Sequence, residues 1–365
     1  MLLLAPAIAA AQSTTGNDNT GYGTTAAEFL LLGANARGMA LGGAYAAVAT
    51  DVGGLNANPG AVALLKRPAI QGSQLQYVGD TKLDWGAVAL PFGGGSSVLG
   101  FQIGTFGFSD QPVYTVGDPE GTGAFYSVNE TFIAGTLAKN FSDRFSVGIT
   151  AKGVIDHLGD VNGSAFAVDF GTHFHSQLGG KAVQFAFSLS NLGTNMSYSG
   201  EGLNQKIDRG ATRDTTPGQG GIVSLPVPVG LLASSFGLPT LFRVALAYDV
   251  VETKGAKLAL MGEFNQMRSN RGAFGGGAEF AADHIGGSGF GVALRGSYTY
   301  NPSLSYGNTG LVGYVEPSDD KNAGIAYGGG VWLASKGGFQ LGFDYAWKRI
   351  GVIGDVNFYT ITLGW

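Results

Sequence analysis

Two histidines in one strand-like segment are the residues with the clearest capacity for metal chemistry. His173 and His175 are two positions apart and Asp169 precedes His173 by four, so a strand would present all three side chains on one face. Imidazole and carboxylate are ligands that transition metals accept. Because each two-residue step along a strand spans about 7 Å, the spacing is too wide for a tight chelate. We therefore predict no metal site and no other cofactor.

The patterns that accompany enzymatic catalysis are missing from the sequence. The chain has no cysteine and only four histidines, so thiolate nucleophiles are excluded and general bases are few. There is no G-x-S-x-G elbow. The glycine clusters at 275–277 and 287–291 lie in or beside predicted strands, whereas a nucleotide-binding loop lies between a strand and a helix. We predict that the protein is not an enzyme.

The composition indicates a membrane barrel. Glycine supplies 63 of 365 residues, aromatic residues reach 11% and charged residues only 13%. Glycine-rich disorder lacks aromatics, and collagen needs a three-residue glycine period that this chain does not have. A net charge of −5 gives no electrostatic reason to expect nucleic acid as a partner. Few charges and many aromatics suit a wall whose outer face meets lipid.

Strand-like alternation runs through the chain from residue 69 to the C-terminus. Segments of about ten residues, the length of a tilted membrane strand, recur fourteen times. They are 69–77, 82–92, 97–106, 129–139, 144–155, 164–174, 181–191, 240–250, 256–266, 272–281, 289–300, 323–333, 338–347 and 357–365. A soluble β-sandwich would alternate in the same way and is the competing fold.

The connections and the C-terminus favour the barrel over the sandwich. Every second connection is short, whereas 107–128, 192–239 and 301–322 are long, as expected of short periplasmic turns and long outer loops. The last strand places an aromatic residue at the chain end, on a face shared with other apolar residues. That face, typical of the signal read by the barrel-assembly machinery, comprises Tyr359, Ile361, Leu363 and Trp365. We predict an all-β, fourteen-stranded antiparallel transmembrane barrel in the bacterial outer membrane, in contact with its lipid.

The region before the first strand does not alternate. Residues 1–11 are apolar and end in an A-x-A pattern, which predicts the remnant of a signal peptide. Residues 12–27 are predicted to be flexible, and residues 28–68, rich in small side chains, form a plug inside the barrel of residues 69–365. Within the plug, Arg37 is the only base of residues 28–65 and Asn58-Pro59-Gly60 is a turn, which we expect to set how the plug enters the first strand.

Eight charged residues fall on the predicted inner face of the wall. They are Lys152, Asp169, Arg243, Asp249, Glu263, Glu279, Arg295 and Asp344. Two interpretations remain open. These charges pair with one another and brace the wall and plug, or they form a polar lining for a permeant solute.

The long connection 192–239 has a polar half followed by an apolar half. The apolar side chains are Ile222, Val223, Leu225, Val227, Val229, Leu231 and Leu232. An apolar outer loop predicts either a surface that docks a partner or a lid packed over the barrel mouth.

The plug segment resembles the opening of the PorV/PorQ family of outer-membrane proteins, relatives of the FadL transporters. The resemblance rests on Phe29-Leu30, Gly33, Ala36-Arg37, Leu41-Gly42-Gly43-Ala44, Asp51 and Asn58-Pro59-Gly60, and continues in 141–148, 188–193 and the last strand. Ala57, where the family often has an aromatic, and Gly60, where it has alanine, depart from the pattern.

The resemblance implies two functions from different classes. PorV-like proteins are accessories of type IX secretion, so the first expectation is a scaffold that binds the translocon, cargo or attachment proteins at the cell surface. FadL-like proteins transport hydrophobic small molecules, so the alternative is uptake of a hydrophobic ligand. A rigid plug and an apolar outer loop suit the scaffold, whereas transport requires a plug that yields or a side passage.

Overall fold

The computed structural model describes residues 23–208, 212–213, 222–223, 226–285, 288–301, 323–335, 337–351 and 354–365, with side chains left undescribed in 205–228. Fourteen strands form the wall. They are β1 Ala69–Gln76, β2 Lys82–Phe92, β3 Ser97–Pro112, β4 Phe125–Ser142, β5 Phe145–Leu158, β6 Val161–Leu178, β7 Lys181–Gly193, β8 Leu241–Glu252, β9 Ala256–Met267, β10 Ala273–Ala282, β11 Phe290–Tyr300, β12 Ile325–Ala334, β13 Gln340–Arg349 and β14 Asp355–Gly364.

The wall closes on itself. Each strand pairs antiparallel with its neighbours in sequence, and β14 pairs with β1 from Ala69 opposite Gly364 to Gln76 opposite Asn357. Closure leaves no unpaired edge in the wall, so the backbone polar groups are satisfied without water. The predicted fourteen-stranded antiparallel barrel is confirmed.

The two faces of the wall differ in chemistry as a membrane barrel requires. In β5, Ser146, Thr150 and Lys152 are buried toward the lumen, while Ile149 and Ile155 are more than half exposed on the outside. The other strands repeat this pattern and give the barrel an outer apolar belt. In the described part of the chain, no helix is both long enough and apolar enough to cross a membrane.

Several strands extend farther than the sequence predicts. β3 and β4 were expected to span 97–106 and 129–139, but they continue to Pro112 and start at Phe125. The added residues remain paired, up to Pro112 opposite Phe125, with a shift in register after Phe108. Beyond the apolar belt a strand has no lipid-facing side, so its outer half loses the alternation by which sequence reveals it. The predicted connection 107–128 is therefore a strand extension with a shorter loop.

The plug has little regular structure. It contains two short α-helices, α1 Ala36–Ala40 and α2 Gly54–Ala57, and the 3-10 turns Glu28–Leu31 and Ala61–Leu64. Outside the plug, further 3-10 turns lie in the connections between strands, at Val78–Asp80, Gly93–Gly95 and Glu201–Leu203. The packed segment begins before residue 28, because Ala26 and Ala27 are buried and Ala26 N donates to Gly237 O at 3.0 Å. The small side chains of Ala26 and Ala27 fit at the outer mouth of the barrel. Both residues belong to residues 12–27, which the sequence predicts to be flexible.

The connection after β7 contains short strands. Ser197–Gly200 pairs with the start of β6, Asn204–Asp208 with Pro226–Gly230, and Thr212–Arg213 with Ile222–Val223. Met196 and Phe236 form an isolated bridge, as do Thr25 and Gly237. The loop is thereby tied both to the wall and to the start of the plug.

Closure of the wall predicts heat modifiability. We expect unheated protein in detergent to migrate faster on a denaturing gel than boiled protein, because the hydrogen-bonded wall stays compact in detergent until it is heated. The same sample, boiled, is the control. Equal mobility together with solubility in the absence of detergent would contradict a membrane barrel.

Candidate functional site

Helix α1 carries the main contact between plug and wall. Asn35, in extended conformation at the N-cap, accepts a hydrogen bond from Gly38 N at 2.7 Å and so starts the helix. Ala36 N donates to Thr360 Oγ1 at 2.9 Å, which fixes the helix against β14. Arg37 follows in the first turn and is directed at the wall.

Arg37 is held by carboxylates from both the wall and the plug. Its Nε and Nη2 atoms donate to the two oxygens of Glu279 on β10, both at 2.8 Å. Its Nη1 atom donates to Asp51 Oδ2 of the plug at 2.7 Å. Such two-pronged guanidinium–carboxylate pairs are among the strongest polar contacts in proteins. Residues far apart in sequence are thus joined in one partly buried cluster.

The cluster continues along the wall. Arg295 Nε donates to Glu279 Oε2 at 2.6 Å, and Arg295 Nη1 donates to Asp344 Oδ1 at 2.5 Å. Arg37, Arg295, Glu279, Asp344 and Asp51 therefore form a five-residue charge network with three acids and two bases. It connects the plug to β10, β11 and β13.

Tyr45 completes the plug side of the charge network. Its hydroxyl donates to Asp51 Oδ1 at 2.5 Å, and Gly53 N donates to the same oxygen at 2.9 Å. Burial first, and then the Asp51 carboxylate, raise the pKa of Tyr45 well above its usual value. The phenol therefore stays protonated and remains a donor.

A second buried cluster lies on the opposite wall. Lys152 Nζ is 3.0 Å from Asp169 Oδ2 and donates to Asn191 Oδ1 at 2.7 Å. Asn191 N donates to Asp169 Oδ1 at 2.7 Å, where the β6–β7 pairing shifts register. Asn191 has a positive φ of 60°. Sequence alternation assigned Lys152 and Asp169 to the lumen but gave no sign of this bulge.

The remaining predicted charges form separate pairs. Arg243 Nε and Glu263 Oε1 are 3.7 Å apart, and each also binds plug backbone, Arg243 through Ala57 O at 2.9 Å and Glu263 through Ala46 N at 2.8 Å. Asp249 pairs with Lys257 at 2.8 Å. All eight predicted charges thus have an opposite charge within 4 Å.

The Asn58-Pro59-Gly60 turn docks on β5 and β6. Asn58 Nδ2 donates to Thr172 O at 3.1 Å, and Ser146 Oγ donates to Gly60 O at 2.8 Å. The turn was expected to set the path into the first strand. In the structure the turn is anchored on β5 and β6, and the 3-10 turn Ala61–Leu64 lies between it and β1.

Glycine makes this docking possible. A Cβ atom at Gly148 would lie 2.2 Å from Pro59 O, and one at Gly171 would lie 2.2 Å from Asn58 Oδ1. At a second place, a Cβ atom at Gly275 would lie 2.4 Å from Gly43 O. The plug backbone therefore packs directly on the backbone of the wall, which no other residue type would allow.

The predicted apolar loop surface is described only in part. Leu225 lies outside the described residues. Ile222 and Val223 pair with 212–213, and Val227 and Val229 belong to the strand Pro226–Gly230. Leu231 is 44% exposed and Leu232 fully exposed.

The C-terminal residues lie on the outer face of β14. Ile361 and Trp365 are about half exposed, and Trp365 N donates to Pro68 O at 3.1 Å. Tyr359 packs beside Tyr345, with ring centroids 5.4 Å apart. The predicted insertion face thus lies beside the β14–β1 seam.

The histidines do not join Asp169. His173 is buried and its Nε2 atom lies 3.0 Å from Ala47 O, while Asp169 is engaged with Lys152 and Asn191. Among the described residues, no three histidines or carboxylates form a group that could hold a metal ion.

Sequence analysis missed a cavity between plug and wall. It measures about 230 Å³ and lies against β8–β11 and the outer end of β13. Its apolar lining includes Leu31, Met39, Leu241, Met267 and Ala273, and its polar lining includes Asn35, Arg243, Glu263, Asn265, Thr299 and Lys348. Two larger polar vestibules, of about 760 and 460 Å³, lie in the periplasmic half of the barrel.

An even-numbered antiparallel barrel with an outer apolar belt and an occupied lumen is the architecture of bacterial outer-membrane proteins. That is the class and location of this chain. No family model matches the sequence, and no curated protein matches it.

Solved structures share the fold. The toluene transporter TodX of Pseudomonas putida is 8% identical, with 91% of this chain and 96% of that chain covered and a TM-score of 0.51. The CymD monoaromatic hydrocarbon channel is 9% identical, with 92% and 97% covered and a TM-score of 0.51. A FadL homologue of Pseudomonas aeruginosa is 10% identical, with 90% and 97% covered and a TM-score of 0.46. The chain therefore shares the barrel fold of TodX and CymD.

The charge network predicts that Arg37 stabilises the plugged barrel. We expect Arg37→Ala to lower the free energy of unfolding by about 2–4 kcal/mol, because it leaves Asp51 without a basic partner and removes two of the hydrogen bonds to Glu279. This range allows for solvent screening of the partly exposed site. Arg349→Ala, which breaks the more exposed pair with Asp355, is the control and should cost about 0–1 kcal/mol. Denaturant titration in detergent measures both. Equal losses would argue against a bracing role for Arg37.

Proposed function

We propose that this protein is a non-enzymatic outer-membrane barrel that binds small, largely apolar molecules between its plug and its wall and passes them inward. The observation that carries this proposal is the cavity of about 230 Å³ beside Met39. An apolar cavity of about 150 Å³ is enough to hold benzene. The size therefore suits a monoaromatic hydrocarbon or a molecule of similar bulk.

The lining of the cavity combines apolar surface with polar groups and, at its edge with the wall, the charged side chains of Arg243, Glu263 and Lys348. Leu31, Leu241 and Met267 supply apolar surface, and Asn35 and Asn265 supply polar groups. Binding sites for small molecules commonly combine an apolar lining with a few polar groups that orient the ligand. The ligand would contact plug and wall together, so binding would respond to movement of the plug.

The side of the plug that faces the cavity is the one with the looser ionic contact. Arg243 and Glu263 are 3.7 Å apart, compared with 2.6–2.8 Å for the contacts of Glu279. A ligand passing on this side would leave the charge network around Arg37 intact. The fold neighbours named as a toluene transporter and a monoaromatic hydrocarbon channel support the same reading.

Filling the cavity tests this function. Ala273 is buried and lines the cavity, so Ala273→Phe should reduce toluene uptake into cells carrying the barrel by roughly ten-fold, as expected for a loss of about 1.4 kcal/mol of binding. Ala278→Phe on the same strand, facing lipid, is the control and should leave uptake unchanged. Radiolabelled toluene provides the measurement. Uptake by Ala273→Phe equal to that of the wild-type protein would contradict the proposal.

Protein secretion is the second candidate function. The exposed side chains of Leu231 and Leu232 and the firmly held plug suit a scaffold of the PorV/PorQ type. Such a scaffold would capture the translocon, the cargo or the attachment proteins of type IX secretion through its outer loop. The plug would then need only to remain in place.

Loop replacement separates the two functions. If the scaffold function holds, exchanging 222–232 for a glycine/serine linker should abolish co-purification with a type IX cargo domain, because the apolar contact surface is removed. Arg37→Ala should leave capture unchanged. Ala273→Phe, which targets the cavity, is a second control. Retained capture after loop replacement, with uptake lost in Ala273→Phe, would leave transport as the function.

A further inference from the structure

Two carboxylates face each other at the outer end of the wall. Glu130 on β4 lies directly opposite Asp156 on β5, and both are on the inner face. Residues paired in this way have Cβ atoms about 4.5–5.5 Å apart. Asp156 is fully buried, and Glu130 is half-buried.

One oxygen of Asp156 is left without a partner. Tyr198 donates its hydroxyl to Asp156 Oδ2 at 2.7 Å, while Oδ1 is buried and has no hydrogen bond. Tyr198 reaches this position over Gly163, the β6 residue opposite Asp156. A Cβ atom at Gly163 would lie 2.7 Å from the Tyr198 ring. Phe132 and Val154, the next inward residues on β4 and β5, supply only apolar surface beneath the pair.

The pair differs from the other carboxylates of the inner wall. Asp169, Glu263 and Glu279 each lie within 4 Å of a lysine or arginine. Within the described part of the chain, neither Glu130 nor Asp156 forms an ion pair. Like charges directly opposite each other are unfavourable, and burial increases that cost. A positive species between the two carboxylates would relieve both effects.

We propose that Glu130 and Asp156 bind a divalent cation, and that Ca²⁺ is the ion that fits best. Carboxylate oxygens are preferred ligands of Ca²⁺, which tolerates an irregular shell completed by water, whereas Mg²⁺ demands near-octahedral geometry. The site offers no nitrogen or sulfur ligand for zinc. Tyr198 is a positioning residue that holds Asp156 through Oδ2 and leaves Oδ1 for the ion.

Few protein ligands make this a weak site. Two carboxylates with water in the remaining positions correspond to dissociation constants of about 10⁻⁴ to 10⁻³ M, the range of extracellular calcium modules. The location agrees with the comparison to extracellular modules. The outer ends of β4 and β5 lie at the outer mouth of the barrel, where its long connections emerge.

The cation would tie the outer loop to the wall. Tyr198 follows Met196, which exchanges backbone hydrogen bonds with Phe236 at 2.7 and 2.8 Å. Gly237 in turn bridges Thr25 at the start of the plug. Neutralising Asp156 thus stabilises the contact through which wall, loop and plug meet.

Terbium luminescence tests the site, since Tb³⁺ occupies calcium sites and is excited through a nearby tyrosine. Full-length barrel in detergent should give tyrosine-sensitised emission that Ca²⁺ displaces, and calorimetry with Ca²⁺ should show one site. Glu130→Gln and Asp156→Asn should each weaken Ca²⁺ binding by roughly ten-fold or more. Tyr198→Phe should reduce affinity less, because it removes no ligand.

Matched controls keep the test decisive. Glu120→Gln changes an exposed carboxylate of the β3–β4 loop and should leave binding unchanged. Each variant is first shown to be folded by its gel mobility before and after heating. Absence of Ca²⁺ binding by the unaltered protein would overturn the proposal and indicate a proton shared by the pair. Binding that survives both Glu130→Gln and Asp156→Asn would overturn it as well.

Discussion

Direct packing of plug backbone on wall backbone is the constraint on which the rest of this structure depends. At Gly148 and Gly171 on one side and Gly275 on the other, a single added carbon would overlap the plug. Because glycine has no side chain, the backbones of plug and wall approach each other closely. Ser146 of the wall then donates to Gly60 O of the plug, and Asn58 of the plug donates to Thr172 O of the wall. The high glycine content is therefore partly a requirement for filling the lumen, beyond the needs of turns.

Once the plug is that close, the charges of the lumen have little water around them. Lys152 is 2% exposed and Asp169 fully buried, so each needs the other, and Glu279 serves two arginines. Buried pairs of this kind add less net stability than their short distances suggest, because desolvation offsets the attraction. They do fix the position of the plug, since a displaced Arg37 would leave Asp51 without a basic partner and Glu279 with Arg295 alone. The cavity beside Met39 lies on the less closely paired Arg243 side, whereas the charge network around Arg37 lines the vestibule of about 460 Å³.

The sequence predicted the wall well because alternation reports which face meets lipid. It predicted the plug from the absence of alternation, and it placed Arg37 and Glu279 in the lumen. It did not predict that these two residues, 242 positions apart, bind each other, because pairing across a lumen depends on strand order and plug path together. The β6–β7 bulge at Asn191 and the outer halves of β3 and β4 were also missed. At the bulge, the two-residue alternation of apolar and polar side chains is interrupted. In the outer halves of β3 and β4, the alternation has no apolar face.

The position of the plug before β1 in the sequence has a consequence for assembly. The seam between β1 and β14 joins residues such as Ala69 and Gly364 from opposite ends of the wall, so it is the contact of longest loop length and is expected to form late. The plug contacts β5, β6, β10 and β13, which lie between the two seam strands in the sequence, and it also contacts β14 of the seam itself. Because α1 is held against β14 through Ala36 N and Thr360 Oγ1, the plug offers the last strand a packing surface, and docking of the plug is coupled to closure of the wall.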